Sequence, residues 1–431
     1  MNRIANKKKV VVTGLGLATP LGLDVEENWE KALAGVSGIG RITYPGSEKS
    51  PVQAVGEIKE ENWNKIKEEF KEYVSCEGER RTLFGLWAAK SALKDAGLNQ
   101  DNQYSNRFGV AFAAGLGITR LEDVKNFINK NGEFDFEQFG KKYTDTRKES
   151  VVRNNSNRPA SLIARKFKLK GANYTISSAC AAATQAAGIA YKTIQRGEAD
   201  LMVAGGADSM IHPVGLVFFV LLKAACVSSS KPQELCRPFD RKRLGLVMGE
   251  GAGAVILEEE SHALKRGAKI YAEVAGYASS MDAFKVTAPH PEGNGAEQSM
   301  NAALKNAHLK IDKIDYINAH GTSTKLNDSA ETLAIKKVFK ENANSIAISS
   351  SKSLIGHFIA ASGGPEFVFT ILSVQRDEIH PTINITNPDP KCDLDYVSNG
   401  KRKRRVKAAI SNSFGFGGQN ATVVLKKYVR V

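Results

Sequence analysis

The sequence predicts an α/β fold built from two similar halves, and three observations carry that expectation. Strand signals alternate with helical ones along most of the chain, the signature of buried strands separated by covering helices. A stretch near the middle recurs later: Ile176-Ser-Ser-Ala-Cys180 aligns with Ile348-Ser-Ser-Ser-Lys352, each followed by a helix former rich in small residues. Gln195-Arg196-Gly-Glu198 aligns with Gln375-Arg376-Asp-Glu378 at a slightly larger offset. With 431 residues, 42% of them hydrophobic, the chain can bury the core of two domains or of one large duplicated one. The halves are expected at 1–265, including insertions, and at 266–431.

In chain order, Val10 to Thr13 reads as a buried strand ending in a glycine turn. The preceding Lys7-Lys-Lys9 and this apolar run imitate a secretory signal, but Thr13, Gly14, Gly16 and Pro20 break the run and no small-residue cleavage site follows. Asp24 precedes a helix over Glu26 to Ala34. Glu79 to Ala96 carries Leu83, Leu86, Trp87, Ala89, Ala92 and Leu93 at helical spacing and stops at Gly97. Phe108 to Ala113 is a strand closed by Gly115 and Gly117, weakly echoed by Ile314 to Gly321. Gly132 to Asn157 is polar and poor in pattern, a surface excursion. Tyr174 to Ser177 is a short strand leading into an Ala-rich helix. Val214 to Leu222 is apolar but far short of the roughly 20 residues a membrane span needs. The second half starts near Lys269, and Val406 to Ile410 is a late strand followed by glycines.

Five cysteines without regular spacing argue against a disulfide framework and for a reducing, cytoplasmic setting, and Cys226 and Cys236 lack the neighbours of a zinc site. The net charge of +14 suits an acidic partner. Nucleic acid is one candidate, invited by Lys401-Arg-Lys-Arg-Arg405. Yet that run lies between the turn signal Asn399-Gly400 and a strand, and no nucleic-acid motif accompanies it, so a solvated loop fits better. A small acidic carrier protein suits the same charge.

The chemistry gathers at three places. Cys180 falls at the start of the Ala-rich helix, where free N–H groups and the helix dipole favour a thiolate and lower its pKa from about 8.5. A lone Cys in such a segment is otherwise an ordinary packing residue. His320 ends an apolar strand and opens Gly321-Thr-Ser-Thr324. His357 follows Lys352-Ser-Leu-Ile-Gly356, near the start of the helix that the repeat makes equivalent to the one carrying Cys180. Together they read as a Cys-His-His site. Phe414-Gly-Phe416-Gly-Gly418 adds a backbone able to approach a ligand and donate to an oxyanion.

These motifs, together with Val10-Val-Val-Thr-Gly-Leu-Gly, Ser178-Ala-Cys180-Ala, Arg237-Pro-Phe-Asp240, Gly249-Glu-Gly-Ala-Gly253, Asn318-Ala-His320-Gly-Thr and Asn412-Ser-Phe-Gly-Phe416-Gly-Gly, span nearly the whole chain. The pattern resembles the β-ketoacyl-acyl-carrier-protein synthases of the type II elongating class, both β-ketoacyl synthase II and the ketosynthase subunits of type II polyketide synthases. The resemblance implies a dimeric thiolase fold with α-β-α-β-α layers, and decarboxylative Claisen condensation. It implies that Cys180 takes the acyl group from a carrier's phosphopantetheine, and that His320 and His357 bind the malonyl thioester carbonyl. Lys352 would set the electrostatics, with Glu331, Glu366 and Phe414 in support. The N–H groups of Cys180 and Phe416 would form an oxyanion hole, Phe416 would gate the site, and Leu116 and Phe219 would line the acyl pocket. No permanent cofactor and no metal are implied, substrates arriving on an acidic acyl carrier protein. Lys65, Lys67, Lys223 and the Lys401 to Arg405 run are candidate docking residues, and the second subunit would be a copy or a homologous chain-length-factor subunit.

Several positions depart from the pattern: Leu244, Leu246, Lys325 and Asn327, and Ala360 and Ser362 in the small-residue run beyond His357. Asn327-Asp328 with Glu331-Thr332 resembles polyketide or polyene ketosynthases more than primary fatty-acid elongation, which stays open as the alternative. A non-catalytic chain-length factor would lack the nucleophile that Cys180 supplies. A basic binding protein rests on charge alone.

Overall fold

The computed structural model describes residues 7–77, 79–98, 105–117, 121–146, 149 and 153–430. The first residues of the signal-like start, to Asn6, and the side chain of Cys76 lie outside the described ones. Ten strands make one sheet: β1 (Val10–Ala18), β2 (Phe108–Ala114), β3 (Asn173–Ile176), β4 (Leu201–Ser209), β5 (Glu250–Glu259), β6 (Ala272–Met281), β7 (Tyr316–Asn318), β8 (Ala347–Ser349), β9 (Ala408–Gly415) and β10 (Gln419–Lys426). Their order is β8-β7-β9-β10-β6-β1-β5-β4-β2-β3. Read outward from the central β1–β6 pair, one side runs β1, β5, β4, β2, β3 and the other β6, β10, β9, β7, β8. Directions repeat too. β2 is parallel to β3 and β4, as β7 is to β8 and β9, while the remaining pairs are antiparallel. The Ile176 and Ile348 segments thus end counterpart strands, and so do the Phe108 and Ile314 segments.

The helices that matter below are α1 (Val25–Leu33), α2 (Arg80–Asp95), α3 (Ala182–Gln195), α4 (Pro213–Leu221), α5 (Asn294–Asn306), α6 (Lys325–Phe339) and α7 (Gly363–Arg376). Asp24 caps α1 by accepting the Glu26 and Glu27 N–H groups. α3 and α7 pack on strands of both halves, whereas α2 covers β1, β5 and β4 and α5 covers β6 and β10. The sheet therefore folds over a central helix pair, giving the α-β-α-β-α layers of a thiolase fold. Such a sandwich requires thin helices. α3 supplies Ala182, Ala183, Ala186, Ala187 and Ala190 to the buried core, and a Cβ at Gly188 would lie 2.2 Å from the Tyr277 ring.

Some boundaries differ from expectation. β1 does not turn at Gly14 but runs on to Ala18, because its glycines serve close packing: a Cβ at Gly16 would sit 2.0 Å from the Ala88 carbonyl oxygen of α2. β9 reaches Gly415, so Phe414 stands on the strand and not after it. The excursion after Gly132 contains a helix, Phe136–Lys142, capped by Asp135, and Phe127, Phe134, Phe136 and Phe139 cluster edge to face around it. Phe134 and Phe136 sit at strand spacing and Phe136 and Phe139 at helical spacing, and these conflicting signals in a polar stretch hid the helix. The Lys401 to Arg405 run is partly ordered: Arg402–Lys403 pairs with Glu378–Ile379, and Arg402 meets Asp395. Among the described residues no helix is long and apolar enough to cross a membrane.

The two halves touch backbone to backbone where β5 meets the start of α7. A Cβ at Gly253 would lie 2.3 Å from the Gly364 carbonyl carbon. Gly253→Ala is expected to cost about 1–3 kcal/mol by overpacking, read as a lowered urea midpoint with an unchanged m value. Gly140→Ala, with nothing within 4 Å of the added methyl, is the control and should leave the midpoint level or higher. Equal midpoints for the two variants would mean that α7 can shift away at no cost.

Candidate active site

Cys180 sits two residues before α3, on the turn that leaves β3, and is 2% exposed. Ala179 holds φ at +48°, a left-handed conformation that non-glycine residues adopt at a cost of order 1 kcal/mol. This turn aims the side chain across the ends of the parallel strands. Gly415 of β9 backs it closely, since a Cβ there would be 2.9 Å from the Cys180 nitrogen.

His320 lies on the loop after β7, and α6 pins that loop. Glu331 accepts the His320 and Gly321 N–H groups, each at 2.8 Å, and Asp328, one turn earlier on α6, accepts the Thr322 N–H at 3.0 Å. Arg243 in turn holds Asp328 and Asp389, at 3.4 and 2.6 Å. His357 was expected near a helix start, yet it stands in a break. A short helix, Lys352–Ile355, ends at Gly356 with φ +81°, and α7 begins only at Gly363. Extended backbone at His357 pairs with Met248 of the first half.

The Cys180 sulfur and one ring nitrogen from each histidine lie within 4.8 Å of one another, all buried. The two imidazoles meet edge to face, centroids 5.4 Å apart. Zinc favours atoms of these kinds, but the ammonium of Lys352, 3.3 Å from His320 Nδ1, opposes a second cation.

Hydrogen bonding sets the tautomers. The Ile359 N–H donates to His357 Nδ1 at 3.0 Å, so Nδ1 carries no proton and Nε2 does. Lys352 Nζ lies beside His320 Nδ1, donates to the His320 carbonyl at 2.7 Å and forms an ion pair with Glu366. An ammonium can only donate, so His320 too presents Nε2–H. Burial pushes both histidines well below their ordinary value, and the Lys352 charge adds to it. Both are neutral donors at pH 7. Burial raises Glu366 to about 7 against the pull of Lys352, and raises Glu331 to about 7 against its two N–H donors.

The thiol departs from expectation. A helix start should lower its pKa, but burial pushes it up to about 11, opposed by the Phe416 N–H and by the Lys352 charge. At 2% exposure, lost hydration outweighs the dipole of a helix that begins two residues later.

Phe414 packs its ring 5.9 Å from that of His320, and Phe416, on the turn between β9 and β10, lies 6.4 Å from the buried Phe219 of α4. Leu116 stands apart. Its side chain is 60% exposed where the chain leaves β2, and its carbonyl accepts from buried Arg81 at 2.7 Å, so this chain alone does not enclose it as a pocket wall. Lys65 and Lys223 are exposed, while Lys67 is half-buried over Trp63 and faces Glu60. A cleft of about 900 Å³ lined by Glu57, Arg80, Asp123, Arg153 and Glu250 lies away from the Cys-His-His group. Sequence reasoning missed Asp208 at the end of β4, which accepts the Ala360 N–H at 3.1 Å and steadies the segment after His357. One acid closing the apolar run Leu201 to Ala207 was the available signal. It also left Ser362 as a mere departure, although that hydroxyl lies 2.7 Å from His357 Nδ1.

Comparison with known proteins places this geometry in context. The family description "Beta-ketoacyl synthase, N-terminal domain" matches residues 7–263, and the corresponding C-terminal domain matches residues 271–386. The chain is 40% identical to 3-oxoacyl-acyl-carrier-protein synthase 2 of Synechocystis, over 98% of this chain and 99% of the relative, and 37% identical to that of Staphylococcus aureus, over 99% and 100%. A solved type II polyketide ketosynthase, in complex with its acyl carrier protein and bound to a hexaketide, superposes with TM-score 0.88 at 34% identity, over 98% of this chain and all of the other. The ishigamide ketosynthase/chain length factor gives 0.84 at 30%, with the same coverage.

The raised thiol pKa predicts the pH course of alkylation. Labelling of Cys180 by iodoacetamide, followed by peptide mass mapping, should accelerate about tenfold per pH unit from 7 to 9.5, without the levelling off that a free thiol shows as the pH passes its pKa of about 8.5. Lys352→Ala, which removes a charge that lowers this pKa, should slow labelling further at each pH. A plateau below pH 9 in the wild type would contradict the assignment.

Proposed function

The chain belongs to the β-ketoacyl synthase family and is a condensing acyltransferase, and we propose that it joins an acyl group held on Cys180 to a malonyl unit delivered by an acyl carrier protein. The observation that carries this is the convergence of one thiol with two neutral Nε2–H donors in a buried site. The Cys180 sulfur attacks the acyl thioester, its proton leaving with the carrier's phosphopantetheine thiol, while the Cys180 and Phe416 N–H groups hold the tetrahedral oxyanion. His320 and His357 then donate to the malonyl thioester oxygen. Loss of carbon dioxide leaves an enolate whose charge rests on that oxygen, and its carbon attacks the acyl-Cys180 carbonyl. The C–C bond forms as the C–S bond breaks, and the thiol is restored by a proton from solvent. Lys352 with Glu366, Glu331 and Phe414 hold His320 in place; Phe416 against Phe219 forms the gate. No resident cofactor takes part.

The motif Asn327-Asp328 with Glu331-Thr332 supports a polyketide or polyene ketosynthase, whereas the names of the curated relatives support primary fatty-acid elongation. The edge strand β3 leaves one side of its backbone open to a second subunit, either a copy or a homologous chain-length factor. Lys223, two residues beyond the end of α4 and near the gate, is the best-placed docking cation for an acidic carrier.

Intact mass after incubation with acyl- and malonyl-carrier protein tests the reading. An acyl adduct should form and be lost in Cys180→Ala. His320→Ala and His357→Ala should keep the adduct but lower extended product by roughly 10²- to 10³-fold, as removing an oxyanion donor does. Extension by the protein alone favours fatty-acid elongation; an adduct without extension points to a missing partner subunit. A folded wild type that takes no adduct would falsify the reading.

A further inference from the structure

We propose that Ser362 is a positioning residue for His357: its hydroxyl donates to Nδ1 and, with the Ile359 N–H, holds the imidazole in the Nε2–H tautomer facing Cys180. The inference rests on the condensing role given to His357 above. The direction of the bond follows from geometry. Nδ1 has one in-plane lone pair, and the Ile359 amide, 3.0 Å away, can only donate to it. Nδ1 is therefore an acceptor, and the Ser362 Oγ at 2.7 Å must donate as well.

The residue is placed for this and for nothing else in view. A Ser at a helix start ordinarily turns its hydroxyl onto its own helix, but Ser362 makes no capping bond to α7. It is 3% exposed, and Thr184 and Gly253 fix its position: a Cβ at Gly363 would lie 2.2 Å from Thr184 Oγ1, and one at Gly364 2.7 Å from the Gly253 carbonyl oxygen. α7 thus begins from a wedge between α3 and β5, and the hydroxyl is carried on that rigid start. His320 has the Lys352 ammonium beside its Nδ1; His357 has two neutral donors instead. Donation to Nδ1 withdraws density from the ring and makes Nε2–H a stronger donor to a forming oxyanion.

The test pairs a kinetic with a spectroscopic reading. Ser362→Ala should lower kcat for condensation roughly five- to tenfold, the factor of one neutral hydrogen bond, with KM for malonyl-carrier protein within about twofold and the rate of Cys180 acylation unchanged. In ¹⁵N-histidine spectra, with His357 assigned by its loss in His357→Asn, the Nδ1 resonance should move toward that of an unbonded ring nitrogen while Nε2 stays protonated. Ser362→Cys, a weak donor of similar shape, should recover part of both effects and serves in place of Ala if Ala unfolds the chain. An unmoved Nδ1 resonance, or acylation falling in step with condensation, would overturn the proposal. The spectra need no substrate, so an error in the assigned reaction would leave the Nδ1 shift intact and show itself in the wild-type assay.

Discussion

The site depends on one buried ion pair, Lys352 with Glu366. The two side chains are 1% and 2% exposed, and breaking such a pair by deleting one partner typically costs about 3–5 kcal/mol because the other charge is stranded. The pair joins the segment after β8 to α7, and Lys352 also donates to the His320 carbonyl on the loop after β7. Three separate segments are tied at one ammonium. That same charge acts on all three reactive groups, lowering both histidines and opposing the rise of the Cys180 pKa. This one contact therefore holds His320 and adds to, or opposes, what burial does to all three groups.

The duplicated sheet explains why such distant residues meet. Parallel strands end together, and in each half β2–β3 and β7–β8 deliver their following loops to the same end. Cys180 follows β3, Lys352 and His357 follow its counterpart β8, and His320 follows β7. The position equivalent to His320 follows β2, where Gly115 and Leu116 lie. There Arg81 donates to the carbonyls of both residues, and the described part of this fourth loop, 115–117, adds nothing to the group of Cys180, His320 and His357. The two halves share one strand order but carry unlike groups at these ends: Cys180 in one, His320, Lys352 and His357 in the other.

What the sequence made legible was periodic or local. The small-residue run after Cys180 announces a helix thin enough to lie between two sheet layers, and the Ile176 and Ile348 segments mark counterpart strands. Cys180, His320 and His357 stood out because reactive side chains at strand ends are rare. What it hid was set by contacts remote in the chain. The glycines of β1 look like a turn until α2 is laid against them, and the break at Gly356 is dictated by the bridge between His357 and Met248. The expected depression of the thiol pKa rested on a helix start alone, and the depth of burial could not be read from that.

Burial ties the chemistry together. The same desolvation that keeps both imidazoles neutral keeps the thiol protonated, so before substrate arrives these three groups carry no formal charge, with the Lys352–Glu366 pair beside them. In the proposed reaction a malonyl carboxylate enters this dry space. It meets no ionised histidine to stabilise it as a carboxylate, whereas two Nε2–H groups wait at the thioester oxygen. Losing carbon dioxide moves the negative charge from the unsupported end of the substrate to the supported one, which is differential binding in favour of the enolate. A charged histidine would bind the starting carboxylate and forfeit that difference. Neutral imidazoles, held so by burial and by a fixed lysine, are what make the site selective for the product of decarboxylation over its precursor.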